Sequence, residues 1–210
     1  MSNFGFAHLR VTNPYEVAFR EARSAIGASE VLRHAEEYQH TRDAISDCSL
    51  VIGTSALGHR ELQHKVVRLD EIGELISGAA APIAILFGSE KVGLSNEDFS
   101  YCHSILHIPT SHENVSMNLG QAVAVCLYEL VRESNACVRA TQRHATAEEL
   151  ERIGDVLSEA LSASGYTKKG AEGSTAQKVR RLIRRLNLSG EDAELLLGML
   201  RKVSRKESKM

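Results

Sequence analysis

The sequence predicts an α/β domain with a mainly parallel sheet, followed by a small all-α domain. Through the first part, apolar runs typical of strands alternate with segments of helical spacing, which favours parallel strands joined by helices. The clearest strand is Pro82–Phe87, whose continuous apolar run (PIAILF) predicts burial on both faces. Beyond residue 145 only helical patterns remain. We therefore expect an α/β domain over residues 1–138 and a helical domain over residues 139–210.

The elements of the α/β domain follow from apolar spacing and from the residues at their ends. Strands are predicted over residues 6–12, 49–53, 82–87 and 104–108. Helices are predicted over residues 15–26, 70–76, 96–101 and 118–133. The last of these is long and apolar, with Leu119, Val123, Cys126, Leu127 and Leu130 on one face.

Three helices are predicted in the second domain from their capping residues. Thr146 with Glu149, and Ser174 with Gln177, fit the capping-box pattern, and Ser189 can cap a third helix. Apolar residues at helical spacing follow each cap, so the three helices can pack together.

Composition restricts the class of protein. The chain has 210 residues, of which 43% are apolar and 25% charged, which excludes a disordered chain. Apolar runs stay well short of the roughly 18–20 residues that span a bilayer. The four cysteines form no CxxC pair and no metal-ligand spacing with histidine, so they predict reduced thiols. We expect a cytoplasmic protein that binds neither membrane nor metal.

Three loops rich in glycine and hydroxyl side chains each follow a predicted strand. They span residues 51–58 (VIGTSALG), 86–98 (LFGSEKVGLSNED) and 108–122 (IPTSHENVSMNLGQA). Ligands of open α/β sheets bind beyond the carboxyl ends of the strands, so these loops predict a small-molecule pocket. Taken singly, each loop could be turn chemistry alone. None matches GxGxxG or GxxxxGK[ST], so a dinucleotide or P-loop site is not supported.

Two of these loops also carry recognisable motifs. Phe87–Leu94 (FGSEKVGL), followed by Ile108-Pro109 and by Ser116–Leu119 (SMNL), resembles motifs 2 and 3 of the SPOUT methyltransferases. The segment LVIGTSA, the N-terminal Gly5–Pro14 and the basic Gly173–Leu182 narrow the resemblance to the TrmH/SpoU branch and its TrmJ-type tRNA ribose 2′-O-methyltransferases. The resemblance covers nearly the whole chain, in the same order and at similar spacing.

The resemblance implies a fold and an activity. The fold is a parallel-sheet SPOUT domain whose C-terminal part is threaded into a trefoil knot, here between about Ile83 and Glu133, and its members usually form homodimers. The activity is transfer of a methyl group from S-adenosyl-L-methionine to a ribose 2′-hydroxyl of tRNA, at nucleotide 32 of the anticodon loop. Two alternatives stay open: an rRNA ribose methyltransferase, and a catalytically impaired protein that only binds RNA and dimerises.

Site residues follow from the same resemblance. The cofactor-binding residues implied are Thr54, Ser55, Ala56, Gly88, Ile108, Val115, Ser116 and Met117. The glycine is expected to let a ligand approach the backbone closely. The catalytic residues implied are Glu90, Ser116 and Asn118, near the methyl group and the ribose. Structural alternatives are a solvated loop charge for Glu90, a helix cap for Ser116 and turn formation for Thr54 and Ser55.

One family motif has no counterpart in the chain. Motif 1, a strand, an Asn-containing loop and a helix with a catalytic Arg, would precede the segment that begins at Gly5. The expected Arg would therefore lie upstream of Met1, and Arg10, Arg20 and Arg23 do not occupy its position. A start placed too late and a natural short form are the two explanations we consider.

A basic segment in the second domain predicts contact with RNA. Gly165–Arg185 contains seven basic residues and one acidic residue within a chain of net charge −2. Such a block can bind phosphates, although a solvated helix face is the alternative. The basic residues are Lys168, Lys169, Lys178, Arg180, Arg181, Arg184 and Arg185. Helical spacing places Lys178, Arg181 and Arg185 on one face, and these three with the two preceding lysines are the predicted RNA-binding residues.

Overall fold

The computed structural model describes residues 1–24, 30–56, 64–111, 116–133 and 143–207. Within these residues the strands are β1 (Arg10–Thr12), β2 (Glu36–Tyr38), β3 (Leu50–Thr54), β4 (Lys65–Arg68), β5 (Ile83–Leu86) and β6 (Ser104–His107). Every strand pair is parallel, as the alternation of strands and helices predicts. The first strand is shorter than predicted, and β2 and β4 were not predicted at all.

The strands form two separate sheets. One contains β1 and β2, and the other has the order β4-β6-β3-β5. The prediction that Pro82–Phe87 is buried on both faces is wrong, because all four residues of β5 are half-buried and, among the described residues, β5 is an edge strand that pairs only with β3. The central strands β3 and β6 are the ones with buried residues on both faces.

Seven of the helices in the described residues follow the predicted order, and two short ones, Glu30–Arg33 and Thr41–Ala44, were not predicted. The helices are α1 (Glu16–Ser24), α2 (Glu30–Arg33), α3 (Thr41–Ala44), α4 (Ile72–Ser77), α5 (Asn96–Ser100), α6 (Leu119–Glu133), α7 (Ala147–Ala163), α8 (Glu172–Arg185) and α9 (Gly190–Glu207), with short 3-10 turns at Ser2–Phe4 and Leu69–Glu71. No helix in the described part of the chain is both long and apolar enough to cross a membrane.

Two of the three predicted caps in the helical domain are present. Thr146 and Glu149 form the capping box of α7, and the Ser189 hydroxyl accepts a hydrogen bond from the Asp192 amide at the start of α9. The predicted cap at Ser174 is wrong. Helix α8 begins two residues earlier, at Glu172, and the Ser174 hydroxyl donates to the carbonyl of Ala171.

The core lies on both faces of the four-stranded sheet. Alternate residues of β3 and β6 point to opposite faces, so Val51 and Ile105 belong to one apolar cluster while Ile52 and Leu106 belong to the other. Phe99 of α5 packs in the first cluster. Three buried cysteines, Cys48, Cys102 and Cys126, fill gaps in these clusters, and burial raises the pKa of each thiol to about 12. They are therefore protonated near neutral pH and unsuited to nucleophilic chemistry.

The helical domain is hydrogen-bonded directly to the α/β domain. At the N-terminus of α7, the Ala147 amide donates to the Cys48 carbonyl at 2.7 Å, and the Glu148 amide donates to the Ser46 carbonyl at 2.9 Å. These bonds satisfy amides that a helix N-terminus otherwise leaves unpaired. The contact holds α7 against the segment that leads into β3.

Candidate active site

The described parts of the three predicted loops meet at the carboxyl ends of β3, β5 and β6 and border a cavity of about 370 Å³ that is open to solvent. Its walls come from residues 54–56, from residues 87–94 and from Ile108 and Thr110, together with the start of α6. Of the residues that the resemblance implies, the lining includes Thr54, Ser55, Ala56, Gly88, Glu90, Ile108, Ser116 and Met117. Val115 lies outside the described residues. The sequence pattern thus predicted a set of side chains that the fold brings together.

Hydrogen bonds fix the first loop to the strands on either side. The Thr54 hydroxyl donates to the Leu86 carbonyl at the end of β5, at 2.9 Å, and the Ser55 amide donates to the Leu106 carbonyl of β6, at 3.1 Å. These two bonds therefore fix the first loop relative to the ends of β5 and β6, from which the other two loops start. Thr54 and Ser55 thus have a structural role and also line the cavity.

Gly88 is required by the shape of its own loop. A Cβ at this position would overlap the backbone of Gly93 and Leu94, because the loop folds back on itself. The Gly93 amide closes the loop by donating to the Ser89 carbonyl at 2.8 Å. That Gly88 lets a ligand approach the backbone closely stays a prediction. The structure shows a separate requirement for glycine, because the close approach here is between two parts of the protein.

Asn118 connects motif 3 to motif 2. Its side-chain amide donates to Oε1 of Glu90 at 3.1 Å, and its side-chain oxygen accepts from the Gly120 and Gln121 amides at the start of α6. Asn118 is therefore the cap of α6, and the alternative that Ser116 caps this helix is wrong. Glu90 is exposed but held in place, so it is more than a solvated loop charge.

The cavity has a simple charge pattern. Among its described lining residues, Glu90 is the only anion and Lys91 the only cation, and no arginine contributes. Most of the remaining lining groups are small, hydroxyl-bearing or apolar. Within the described ranges, no group of three or more His, Cys, Asp and Glu side chains is placed to hold a metal ion. The arrangement suits a ligand bound mainly by backbone groups, with one carboxylate at its edge.

Helix α8 lies close behind one wall of the cavity. Phe99 lines the cavity, and the ring of His64 lies against it with the two centroids 6.4 Å apart. Burial lowers the pKa of His64, and the nearby charges of Arg181 and Arg185 lower it further.

The basic residues of the helical domain divide into two groups. Lys168, Lys169, Lys178 and Arg185 are exposed and Arg181 is half-buried, which leaves all five predicted RNA-binding residues at the surface. Arg180 and Arg184, the two basic residues of this segment outside the predicted RNA-binding set, point inward: the side chain of Arg184 is fully buried and that of Arg180 is 18% exposed.

The two inward arginines bind one carboxylate. Glu151 of α7 accepts from Arg180 Nε and from Arg184 Nη2, both at 3.0 Å. Arg180 also donates to the Ser100 hydroxyl at 2.9 Å and lies over the ring of Tyr101, 4.2 Å from its centroid. This network ties α8 to α5 of the α/β domain. A signal in the sequence was the i, i+4 spacing of Arg180 and Arg184 beside the apolar Val179 and Ile183.

Comparison with known proteins gives a consistent set of relatives. Residues 1–128 match the SpoU rRNA Methylase family. The tRNA (cytidine/uridine-2′-O-)-methyltransferase TrmJ of Sodalis glossinidius (strain morsitans) is 33% identical over 209 residues, which cover 95% of this chain and 82% of that protein. The enzyme of the same name from Photorhabdus laumondii subsp. laumondii is 34% identical over 214 residues, covering 98% of this chain and 88% of that one.

A solved structure extends the similarity to the whole fold. The crystal structure of TrmJ from Z. mobilis ZM4 superposes with a TM-score of 0.85 at 26% identity, covering 97% of this chain and 90% of that chain. The similarity therefore includes the helical domain as well as the parallel sheet. The predicted parallel-sheet fold and helical C-terminal region are confirmed.

Proposed function

Because the chain belongs to the SpoU rRNA methylase family, we propose that it is an S-adenosylmethionine-dependent tRNA ribose 2′-O-methyltransferase that acts at nucleotide 32 of the anticodon loop. The observation that carries the proposal is the cavity at the carboxyl ends of three parallel strands, with Glu90 held at its wall by Asn118. Relatives that are named for 2′-O-methylation of cytidine or uridine in tRNA support tRNA over the rRNA alternative.

The cavity suits S-adenosylmethionine in size and in chemistry. Its volume of about 370 Å³ falls in the range of small-molecule sites. Residues 54–56, Gly88, Ile108, Ser116 and Met117 would hold the cofactor, with Val115 as a further candidate. Bound there, the cofactor supplies an electrophilic methyl group on a cationic sulfur. The carboxylate of Glu90 is the group in the wall that complements such a positive charge.

Glu90 and Asn118 would orient the ribose. The Asn118 side-chain amide donates a hydrogen bond to Oε1 of Glu90. Oε2 would then accept a hydrogen bond from the 2′-hydroxyl. Holding that hydroxyl in line with the methyl group lowers the entropic part of the barrier. Ser116, which also lines the cavity, is the third catalytic residue in this proposal, beside Glu90 and Asn118.

The exposed cations of the helical domain would bind the tRNA backbone. Lys168 and Lys169 precede α8, and Lys178, Arg181 and Arg185 share one of its faces. We also propose a homodimer, supported by the exposed apolar side chains of Val125 and Tyr128 on α6. A trefoil knot within residues 83–133 and a cytoplasmic location complete the proposal.

A second candidate function is an RNA-binding protein with little or no catalysis. It is favoured by the absence of an arginine among the described lining residues, since the family's motif 1 Arg would serve the proton transfer. Removing such a group typically costs 10²–10⁴-fold in rate.

One experiment separates these functions. Methyl transfer from labelled cofactor to tRNA and to rRNA is measured with this chain and with the same chain carrying an N-terminal extension that contains motif 1. Transfer to tRNA supports the proposed function, and transfer to rRNA supports the rRNA alternative. Binding of S-adenosylhomocysteine and tRNA without transfer, with and without the extension, identifies the RNA-binding protein.

A further inference from the structure

One charged residue of the cavity has no part in the proposed function so far. Lys91 is the single cation among the described lining residues, and it follows directly after Glu90. The two neighbours differ in how they are held. Glu90 is bonded to Asn118, whereas in the described part of the chain no carboxylate lies within ion-pair distance of Lys91.

The loop places Lys91 at the mouth of the cavity. Gly88 and Gly93 come together where the loop folds back, so residues 90–92 form its turn. Lys91 is exposed, and Val92 beside it is 72% exposed. An ammonium group that forms no ion pair with any described residue, and the exposed Val92 side chain, thus border the opening through which a large substrate would reach the cavity.

Charge indicates what this ammonium group binds. A lysine directed at the cofactor's cationic sulfur would raise the energy of both, so its favourable partner is an anion approaching from solvent. RNA carries such an anion on the 3′-oxygen next to every 2′-hydroxyl. When a 2′-hydroxyl enters the cavity, the phosphate on the same ribose must lie near the opening.

We infer that Lys91 is a positioning residue that binds the phosphate 3′ to the methylated nucleotide. This inference rests on the proposed function and adds to it a contact at the reacting ribose. The ammonium group would hold the phosphate while Glu90 orients the hydroxyl, so the two neighbouring residues fix two points of one nucleotide. The Val92 side chain adds an apolar contact for the sugar or base.

A double-mutant cycle between protein and RNA tests the contact. The RNAs are a series of anticodon stem-loops. In each one, a single phosphate of the loop is replaced by a neutral methylphosphonate, and the sugar on the 5′ side of that linkage is 2′-deoxy. The proteins are the parent chain, Lys91→Ala, Lys91→Arg and the control Lys202→Ala, an exposed lysine of α9 that does not line the cavity. Affinities for RNA and for S-adenosylhomocysteine are measured for each.

We expect one linkage whose neutralisation weakens binding to the parent about three- to tenfold. Neutralising the same linkage should not change the RNA affinity of Lys91→Ala. The RNA affinities of Lys202→Ala and Lys91→Arg should fall by the same factor as that of the parent. S-adenosylhomocysteine affinity should be equal in all four proteins. Lys91→Ala should also reduce the slope of log affinity against log salt by about 0.7, the value for one contact with a single strand.

Other results overturn the inference in distinguishable ways. If every linkage affects Lys91→Ala and the parent equally, Lys91 does not bind phosphate, although the proposed function stands. A fall in S-adenosylhomocysteine affinity for Lys91→Ala would assign the lysine to the cofactor carboxylate instead. If the parent chain does not bind the stem-loop at any salt concentration, the tRNA function fails and the inference fails with it.

Discussion

The side chain of Asn118 donates a hydrogen bond to Glu90 across 3.1 Å and at the same time caps α6 through its oxygen. One residue therefore joins the helix start of motif 3 to the loop of motif 2. The two segments are 28 residues apart in sequence, yet the cap fixes the amide at the position from which it holds the carboxylate. Helix stability and site geometry thus depend on the same side chain.

Replacing Asn118 separates these two roles. Asn118→Ala should lower the free energy of unfolding by about 1 kcal/mol, because the cap is lost. It should also reduce methyl transfer at least about tenfold, because Glu90 is released. Asn118→Ser is the control, since serine caps a helix equally well but is too short to reach Glu90. Urea unfolding and initial rates are measured for both variants, and full activity in Asn118→Ser would show that the bond to Glu90 is not needed.

Gly88→Val should open the loop of residues 88–94. The branched side chain cannot fit against the backbone of Gly93 and Leu94, so the loop must move away from the cavity. We expect S-adenosylhomocysteine affinity to fall at least about tenfold, or about 1.4 kcal/mol, by calorimetry. Gly78→Ala is the matched control, because a Cβ at that position contacts nothing within 4 Å. Unchanged affinity in a folded Gly88→Val protein would contradict the assignment of the cavity.

Arg181→Ala combined with Arg185→Ala should weaken tRNA binding through lost phosphate contacts. The slope of log affinity against log salt should fall by about 0.9 for each contact on a duplex stem. S-adenosylhomocysteine affinity should not change, because neither arginine lines the cavity. Filter binding over a series of salt concentrations measures the slope. If the double variant keeps the parent's slope and affinity, α8 is a packing or dimer element instead.

His103 should make the stability depend on pH. Its Nδ1 accepts from the Val51 amide at 3.0 Å, and burial, with the nearby Arg184, lowers its pKa from 6.5 to about 3. Below pH 6.5, His103 is therefore protonated in the unfolded chain but stays neutral in the folded chain. The stabilisation from neutral His103 is therefore complete above that pH and is lost as the pH falls toward 3.

Urea unfolding at two pH values tests this. Between about pH 7.5 and about pH 5, His103 should account for a loss of about 2 kcal/mol in the free energy of unfolding. His103→Asn keeps an acceptor for the Val51 amide but cannot titrate, so its loss should be smaller by that amount. The other titrating groups are common to both proteins. Equal losses would show that His103 is not the group responsible.

Much of the site could be predicted from the sequence because its residues are contiguous within short motifs. The alternation of strands and helices places Thr54, Gly88 and Ile108 at the carboxyl ends of three strands, and parallel pairing brings those ends together. The resemblance then supplies the roles. What it could not supply is the reason for Gly88, because the clash that excludes a side chain depends on how the loop folds.

The other differences between the predicted and the observed structure arise from contacts between residues that are far apart in the sequence. Strand β2 (EEY) is short and polar and β4 (KVVR) has only two apolar residues, so no long apolar run marks either strand. The inward orientation of Arg180 and Arg184 depends on Glu151, which lies about thirty residues earlier on another helix. Basic charge in the sequence predicts contact with an anion. Whether that anion is a phosphate or a carboxylate of the same chain depends on the fold.

The most direct test of the proposed function is to map the methyl group. The protein is incubated with S-adenosylmethionine and, in separate reactions, unmodified tRNA or unmodified rRNA, and each RNA is digested and analysed by mass spectrometry. We expect one additional methyl group on the ribose of nucleotide 32, with its base unmodified and no modification in rRNA. A methyl group on a base, or no methyl group in tRNA although the protein binds both tRNA and S-adenosylhomocysteine, would contradict the function proposed for this chain.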